Sequence, residues 1–345
     1  MKIPIQNLYF LLCYAWNVLP EGDIRRVDFS NCSSNSDLLG QVLATGCNQL
    51  LKQGMQKEYQ AHSEETSCIR GRLSFSESIK KNSLQYGKAF CVFDEYTLDN
   101  IQNQLLKATI SKLLNLGELD SKLRRDLTAI KKRLHSIRDI KPRLCHFDQV
   151  KIHRNNRRYR LLLSVCRFVL LQWMPEYDGE KQIFRDFVRD EVLMRTVFEK
   201  FVRNFYRVEL RQLAKVKSTR FKWKNTQSDP AQTYLLPGMR TDIVVNLPDK
   251  VIVIDTKYYS KSLQTGQFGN KTIYSEHVYQ MFAYVSNINL QYTKPVEGIV
   301  LYAFAGEIVD SEYLIHGNKI KFITLGMDCE WDKVREQLMN LVKVN

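Results

Sequence analysis

Three residues in the second half of the chain have the types and spacing of a metal-assisted hydrolytic site. Asp255 and Lys257 are one residue apart and follow the apolar run Val251–Ile254. Because residues i and i+2 of a strand point to the same face, the carboxylate and the ammonium should emerge together. Asp242 begins the preceding apolar segment, and Pro248 lies in the turn between the two. An antiparallel hairpin with its turn near residues 246–250 would pair residue 242 with residue 255.

Such a trio could cleave a phosphodiester. Two carboxylates can hold Mg²⁺, which uses few protein oxygens and keeps water and phosphate oxygens as its other ligands. The metal would polarise the scissile phosphate and lower the pKa of a bound water. Lys257 would supply positive charge to that water or to the developing phosphorane. The alternative is a structural Asp–Lys ion pair at a strand end, because Asp-x-Lys alone is common by chance.

The overall charge favours a polyanionic partner. The 345 residues carry a formal net charge of +14, with a pI near 9.3. Such basicity is typical of proteins that meet nucleic acid or an anionic membrane surface. Residues 121–160 hold fourteen Lys or Arg against three Asp, and a second basic cluster runs from Arg203 to Lys224. A solvated helix face is the alternative interpretation of either cluster.

The cysteines and the N-terminal apolar segment indicate a cytoplasmic protein without a membrane anchor. Eight cysteines are scattered without a CxxC or zinc spacing, which is typical of reduced thiols. Residues 8–19 are apolar but too short to span a bilayer, and they lack a small-residue cleavage site. Their periodicity predicts a buried helix.

The remaining pattern predicts two domains of mixed α/β (α+β) class. We place the boundary between residues 172 and 173 on length and pattern. In the first region, residues 94–117 are predicted to form one long amphipathic helix that ends at Gly117. In the second, the order helix, strand, strand, helix, strand predicts a mixed sheet flanked by helices. Its helices are expected within residues 185–210, 275–288 and 331–344.

The spacing of the polar residues resembles the PD-(D/E)XK nuclease superfamily. Asp242 followed by Asp255-Thr256-Lys257 is similar to its signature, although Thr241 stands where Pro is frequent. Gln280 and Tyr284 resemble the QxxxY element of the helicase-nuclease branch, and at i and i+4 they share a helix face. The resemblance implies that both lie beside the metal site. It also implies an extra acidic metal ligand, for which Glu199 is favoured over Glu191.

Longer blocks resemble the McrC family, the nuclease subunit of 5-methylcytosine-dependent restriction systems. They are "IPIQNLYFLLCYAWNVL", "IRGRLSFSESI", "FDEYTLDNIQNQLLKATI" and "LLPGMRTDIVV…VIVIDTKYY". The resemblance implies a DNA endonuclease that acts with a hexameric McrB-like AAA+ GTPase on DNA containing modified cytosine. The N-terminal region would dock on the GTPase and stimulate it. The chain has no GxxxxGK[ST] motif, so GTP would be used by the partner.

Two other functions remain open from the sequence. One is a stand-alone repair nuclease that needs no GTPase. The other is a non-cleaving subunit that activates the GTPase and binds DNA on a nuclease-like scaffold. The intact trio argues against the second, since a degenerate site would normally have lost one of its members.

Overall fold

The chain folds into two compact units. A computed structural model describes residues 3–18, 32, 34–116, 119–175, 182–184, 188, 190–223, 235–259, 263–265, 270–303 and 308–343. Residues 1–19 and 186–345 form one unit, here called the terminal unit. Residues 20–185 form the other, here called the inserted unit.

The elements follow one another in this order along the described residues. The terminal unit starts with helix α1 (Ile5–Ala15). The inserted unit contains α2 (Asn35–Gln53), β1 (Glu58–Thr66), β2 (Arg72–Leu73), α3 (Phe75–Lys80), β3 (Ala89–Thr97), α4 (Ile101–Leu114), α5 (Ser121–Arg133), α6 (Leu144–Asp148), α7 (Tyr159–Gln172), β4 (Trp173–Pro175) and β5 (Gln182–Phe184). The terminal unit resumes with α8 (Glu191–Glu209), β6 (Lys215–Lys217), β7 (Arg220–Phe221), β8 (Met239–Arg240), β9 (Ile243–Asn246), β10 (Val251–Lys257), β11 (Gln264–Thr265), β12 (Lys271–Thr272), α9 (Ser275–Asn289), β13 (Val296–Ala303), β14 (Asp310–Ile315), β15 (Asn318–Leu325) and α10 (Trp331–Leu341).

The N-terminal helix belongs to the terminal unit, so the division differs from the expected break between residues 172 and 173. Helix α1 buries its apolar residues and packs on α8. The Asn7 side-chain amide donates to the carbonyl oxygens of Met327 (2.9 Å) and Cys329 (2.6 Å). The Tyr14 hydroxyl lies 2.8 Å from Glu209 Oε1. These contacts hold the N-terminal helix in the same unit as the C-terminal half of the chain. A single boundary along the sequence therefore cannot separate the two units.

A six-stranded mixed sheet forms the centre of the terminal unit, in the order β14-β15-β13-β10-β9-β6. Strand β10 pairs antiparallel with β9 and parallel with β13. A parallel connection requires a crossover, which α9 supplies. The predicted mixed sheet flanked by helices is therefore confirmed, and β14 and β15 extend it beyond the predicted strands.

Both faces of β10 are covered by protein. Val251 and Val253 belong to the core beneath α9, while Ile252 and Ile254 alternate to the other face and are equally buried. Helix α8 packs against β10. Burial on both faces is typical of an all-apolar strand at the centre of a sheet.

The inserted unit packs helices α2, α4, α5 and α7 together beside the antiparallel sheet β1-β3-β2. The prediction of one helix over residues 94–117 was wrong at its start. Residues 94–97 continue strand β3, and α4 begins only after Asn100, whose side chain caps it by accepting from the Asn103 amide. Pairing with β1 overrides helical periodicity in these residues. Among the described residues, no helix is both long and apolar enough to cross a membrane.

Candidate active site

The hairpin of β9 and β10 brings the two aspartates to one end of the sheet. Its register pairs Asn246 with Val251 and Ile243 with Ile254. Continued by one position, the same register sets Asp242 opposite Asp255, as the residue spacing predicts. Asp242 Oδ2 accepts two hydrogen bonds from Thr256, one from the backbone N–H and one from the hydroxyl, both at 2.8 Å. These bonds fix the Asp242 carboxylate against the end of β10.

Asp255 is an acid in an environment that disfavours its charge. The residue is 3% exposed, and its Oδ2 atom is buried without a directed hydrogen bond. Lys257 Nζ lies 2.8 Å from that oxygen and supplies charge rather than hydrogen-bond geometry. Burial, followed by repulsion from Asp242, raises the pKa of Asp255 to about 6, and Lys257 only partly opposes this rise. The remaining repulsion between the Asp255 and Asp242 carboxylates is what a cation shared by the two would relieve.

Lys257 is held by a chain of side chains that starts on α9. Its ammonium donates to Gln280 Oε1 at 2.8 Å, and Gln280 Nε2 donates to the Tyr284 hydroxyl at 2.9 Å. Burial raises the pKa of Tyr284, so its hydroxyl stays protonated. The structure thus brings both residues of the QxxxY element into one hydrogen-bonded line with Lys257.

A glycine on β13 allows α9 to approach the sheet closely enough for this line to form. A Cβ atom at Gly298 would lie 2.7 Å from both Met281 Sδ and Val285 Cγ2. Met281 follows Gln280 directly, so the close packing at Gly298 sets the height of the Gln280 side chain above β10.

Glu199 lies within electrostatic reach of the two aspartates but has its own partner. Its charge contributes to the raised pKa of Asp255, although less than burial and Asp242 do. Its carboxylate is paired with Arg203 Nη1 at 2.5 Å. Glu191 is at the first turn of α8, about 12 Å further along the helix axis at 1.5 Å per residue. The geometry favours Glu199 over Glu191 as the acid beside the site.

The residues present suit a cation that needs few protein ligands. Among the described residues, no group of three or more His, Cys, Asp or Glu side chains is arranged as a metal cage. Asp242 and Asp255 offer two carboxylates at one strand end, and Asp255 is buried with Lys257 as its ion-pair partner. This donor set fits Mg²⁺, which keeps several waters, better than Zn²⁺, which favours nitrogen and sulfur ligands.

Two residues near Lys257 were missed by the sequence interpretation. Thr256 was treated as a spacer, yet it anchors Asp242. His277 is 5% exposed, and its Nδ1 lies 2.9 Å from the Tyr302 hydroxyl. Burial, assisted by Lys257, lowers the pKa of His277 to about 4. His277 precedes Gln280 by one helical turn, which is the only sequence signal that could have pointed to it.

Comparison with known proteins gives consistent results over nearly the whole chain. A family model described as "McrBC 5-methylcytosine restriction system component" matches residues 6–303. The chain is 29% identical to the "Type IV methyl-directed restriction enzyme EcoKMcrBC" of Escherichia coli (strain K12), over 98% of this chain and 97% of that protein. It also shares the fold of a chain in the half-complex of Thermococcus gammatolerans McrB AAA+ hexamers with bound McrC. That match has a TM-score of 0.60 at 16% identity and covers 98% of this chain and 76% of the other.

Proposed function

We propose, from the premise that this chain belongs to the family of McrBC 5-methylcytosine restriction system components, that it is the DNA-cleaving subunit of such a system. In this proposal it hydrolyses phosphodiester bonds with Mg²⁺ and stimulates the GTPase of a hexameric McrB-like AAA+ partner. The DNA to be cut contains modified cytosine. The observation that carries the proposal is the convergence of Asp242, Asp255 and Lys257 at the end of β10.

Each group at the strand end has a part in hydrolysis. Asp242 and Asp255 would hold the metal, and a bound Mg²⁺ supplies polarisation of the phosphate and a water of lowered pKa. Asp242 is fixed by Thr256 and cannot swing away without breaking two hydrogen bonds. Lys257 presents positive charge where the attacking water or the developing phosphorane needs it, and Gln280 restricts its ammonium to one position.

The partner follows from the family and from the names of its relatives. The solved structure that shares this fold is described as McrB AAA+ hexamers with bound McrC, and the curated relative is described as a methyl-directed restriction enzyme. The 345 residues contain no phosphate-binding GxxxxGK[ST] loop, and in this proposal GTP is used by the AAA+ partner. Cys13, Cys47, Cys91 and Cys166 are buried free thiols, which suits a reducing cytoplasm.

The test is reconstitution with an McrB-like AAA+ GTPase from the same organism. The mixture, supplied with GTP and Mg²⁺, should cut DNA that carries 5-methylcytosine and leave unmethylated DNA of the same sequence intact. Chelation of Mg²⁺ should stop cutting. Equal cutting by the chain without the GTPase would favour a stand-alone repair nuclease. Stimulated GTP turnover without any cutting would favour a non-cleaving activator.

A further inference from the structure

Next to Lys257, the Arg195 guanidinium and the side-chain rings of Tyr259, His277 and Tyr302 contact one another in series. Tyr259 is in the middle of this stack. The Arg195 guanidinium lies 4.8 Å from the centre of the Tyr259 ring, and His277 stacks at 5.7 Å with an interplanar angle of 19°. His277 then bonds the Tyr302 hydroxyl at 2.9 Å. All four residues belong to the terminal unit.

Every member of this stack is a near neighbour of a residue at the site. Arg195 lies one turn before Glu199 on α8, and His277 lies one turn before Gln280 on α9. Tyr259 follows Lys257 by two residues. Tyr302 is the register partner of Lys257 in the parallel pairing of β10 with β13. The stack therefore connects α8, which carries Glu199, with the end of β10, which carries Lys257, and with α9, which carries Gln280.

The need for such a device follows from where Lys257 lies. It is the last residue of β10, so no further ladder pair holds the chain beyond it. Contacts between a cation and a ring, and between two rings, add attraction beyond the burial of their surfaces, and here they hold the residues that follow the strand. Tyr258 holds the same strand end on the opposite side, because its ring packs on Phe198 at 6.1 Å.

The His277 imidazole is suited to this place because it is neutral. Four groups surround it: the hydroxyl-bearing rings of Tyr259, Tyr274 and Tyr302, and the ammonium of Lys257. A protonated His277 would place a second positive charge beside Lys257 and repel its ammonium. A neutral ring can instead pack against Tyr259 and bond Tyr302 without competing for the carboxylate.

We propose that the stack of Arg195, Tyr259, His277 and Tyr302 is a positioning device that fixes the Lys257 ammonium between Asp255 and Gln280. The inference rests on the proposed nuclease function for its catalytic consequence. Its structural content is independent of that function, because the position and mobility of Lys257 can be measured in the uncomplexed protein.

The test compares Tyr259→Ala with Tyr259→Phe, which keeps the ring. Tyr279→Ala is the matched control, since Tyr279 is on α9 but 71% exposed. Lysine is labelled with ¹³C at the ε position, and the Lys257 resonance is identified by its loss in Lys257→Arg. The resonance should shift and sharpen in Tyr259→Ala and stay in place in the other two variants. An unchanged resonance in a folded Tyr259→Ala protein would overturn the proposal, whether or not the wild type cuts DNA.

Cleavage by the reconstituted complex provides the second measurement. Tyr259→Ala should lower kcat by about tenfold to a hundredfold, because small misplacements of a catalytic group have effects of that size. KM for DNA should change little, and Tyr259→Phe should retain wild-type kcat. If Tyr259→Ala does not fold, Tyr302→Phe decides, because it removes only the hydroxyl that holds His277. Wild-type kcat and an unmoved Lys257 resonance in Tyr302→Phe would then count against the stack.

Discussion

Asp255 is held where its own ionisation opposes folding. Its pKa is raised from 3.8 to about 6, so between these values the folded state binds more protons than the unfolded state. Stability then falls as the pH rises through this window, and the full penalty is present above pH 6. Metal binding would reverse this balance, because a cation favours the charged carboxylate. The residue is thus better suited to a ligand than to a structural ion pair.

Asp255→Asn should therefore stabilise the metal-free protein at pH 7–8. The gain should reach at most about 3 kcal/mol, at 1.36 kcal/mol per pKa unit, less what Lys257 loses with its charged partner. The difference from wild type should shrink on acidification and vanish below pH 3.8, where both proteins are neutral at this position. Thermal unfolding in chelator across pH 3.5–8 measures it. A variant less stable than wild type at pH 8 would show that Asp255 serves as a structural ion-pair partner.

Lys257→Ala should have the opposite effect on stability. It leaves the buried Asp255 carboxyl without its counter-charge, so the pKa of Asp255 rises further, and the cost appears above pH 6 and grows with pH to roughly 3 kcal/mol. Added Mg²⁺ should recover more stability in this variant than in the wild type. The control is Lys250→Ala, which removes a pair with Glu297 on the same sheet and should gain nothing extra from Mg²⁺. Equal responses to Mg²⁺ in both lysine variants would contradict a cation site at Asp255.

Among individual residues, the spacing along the sequence was enough to predict the cluster of Asp242, Asp255 and Lys257. It did not predict the residues that pack around this cluster. Asp255 and Lys257 are two residues apart on one strand, and Asp242 is one hairpin away, so their proximity follows from local pairing rules. His277 and Tyr302 come together only through the packing of α9 on a parallel pair of strands. No local pattern reports such a contact.

The packing of α9 on β13 sets the distance between two elements of the site. Gly298→Ala should push α9 outwards, since the added methyl group would lie 2.7 Å from Met281 and Val285. We expect a loss of about 1–3 kcal/mol in unfolding free energy, together with slower cleavage as Gln280 moves away from Lys257. Gly238→Ala is the control, because no atom lies within 4 Å of its added Cβ. Wild-type stability and cleavage in Gly298→Ala would show that this contact does not set the height of α9.

The basic helix α5 presents one face that suits a phosphate backbone. Leu123, Leu127 and Ile130 are buried, whereas the cations at Lys122, Arg125, Lys132 and Arg133 are exposed. The second basic cluster is partly engaged within the fold, since Arg203 pairs with Glu199 and Arg207 donates to the Val216 carbonyl. Lys224, at the end of that cluster, lies outside the described residues. Helix α5 is therefore the stronger candidate for contacts with DNA.

Replacing these four cations of α5 with glutamine should flatten the salt dependence of DNA binding. Each lost phosphate contact should reduce the slope of log K against log salt concentration by about 0.9. Fluorescence anisotropy with a duplex of arbitrary sequence measures the slope. A charge-conserving variant, Lys122→Arg with Lys132→Arg, should keep it. An unchanged slope after loss of all four charges would assign this face to solvent or to the protein partner.

Elements with strong periodicity were predictable, and elements fixed by distant pairing were not. Helices α8 and α10 lie within the predicted segments and α9 exceeds its predicted end by one residue, because each has a clear apolar face. Strands β9 and β10 form the predicted hairpin. Strands β14 and β15 had no prediction, and β14 is largely exposed at the sheet edge without a strong alternation. The start of α4 was misplaced because residues 94–97 pair with β1.

For the whole molecule, the chain starts and ends in the same unit. Helix α1 packs with α8 and α10, so a fragment that stops at residue 172 would remove α1 from its partners. The piece with which to ask whether one half stimulates the GTPase is the inserted unit, residues 20–185. Stimulation by that unit alone would assign the effect to it. Stimulation only by the full chain would leave the family assignment intact and show that the terminal unit is required.

The most direct test of the account is Asp255→Ala in the reconstituted complex with the AAA+ GTPase, GTP, Mg²⁺ and DNA containing 5-methylcytosine. Since Asp255 is the buried acid between Asp242 and Lys257 that would hold the metal, its removal should abolish DNA cleavage. GTP turnover should be stimulated as strongly as by the wild-type chain, because the variant keeps its fold and its partner surface. Loss of cleavage with full GTPase stimulation is the predicted result. Cleavage near the wild-type rate by Asp255→Ala would contradict the assignment of the site.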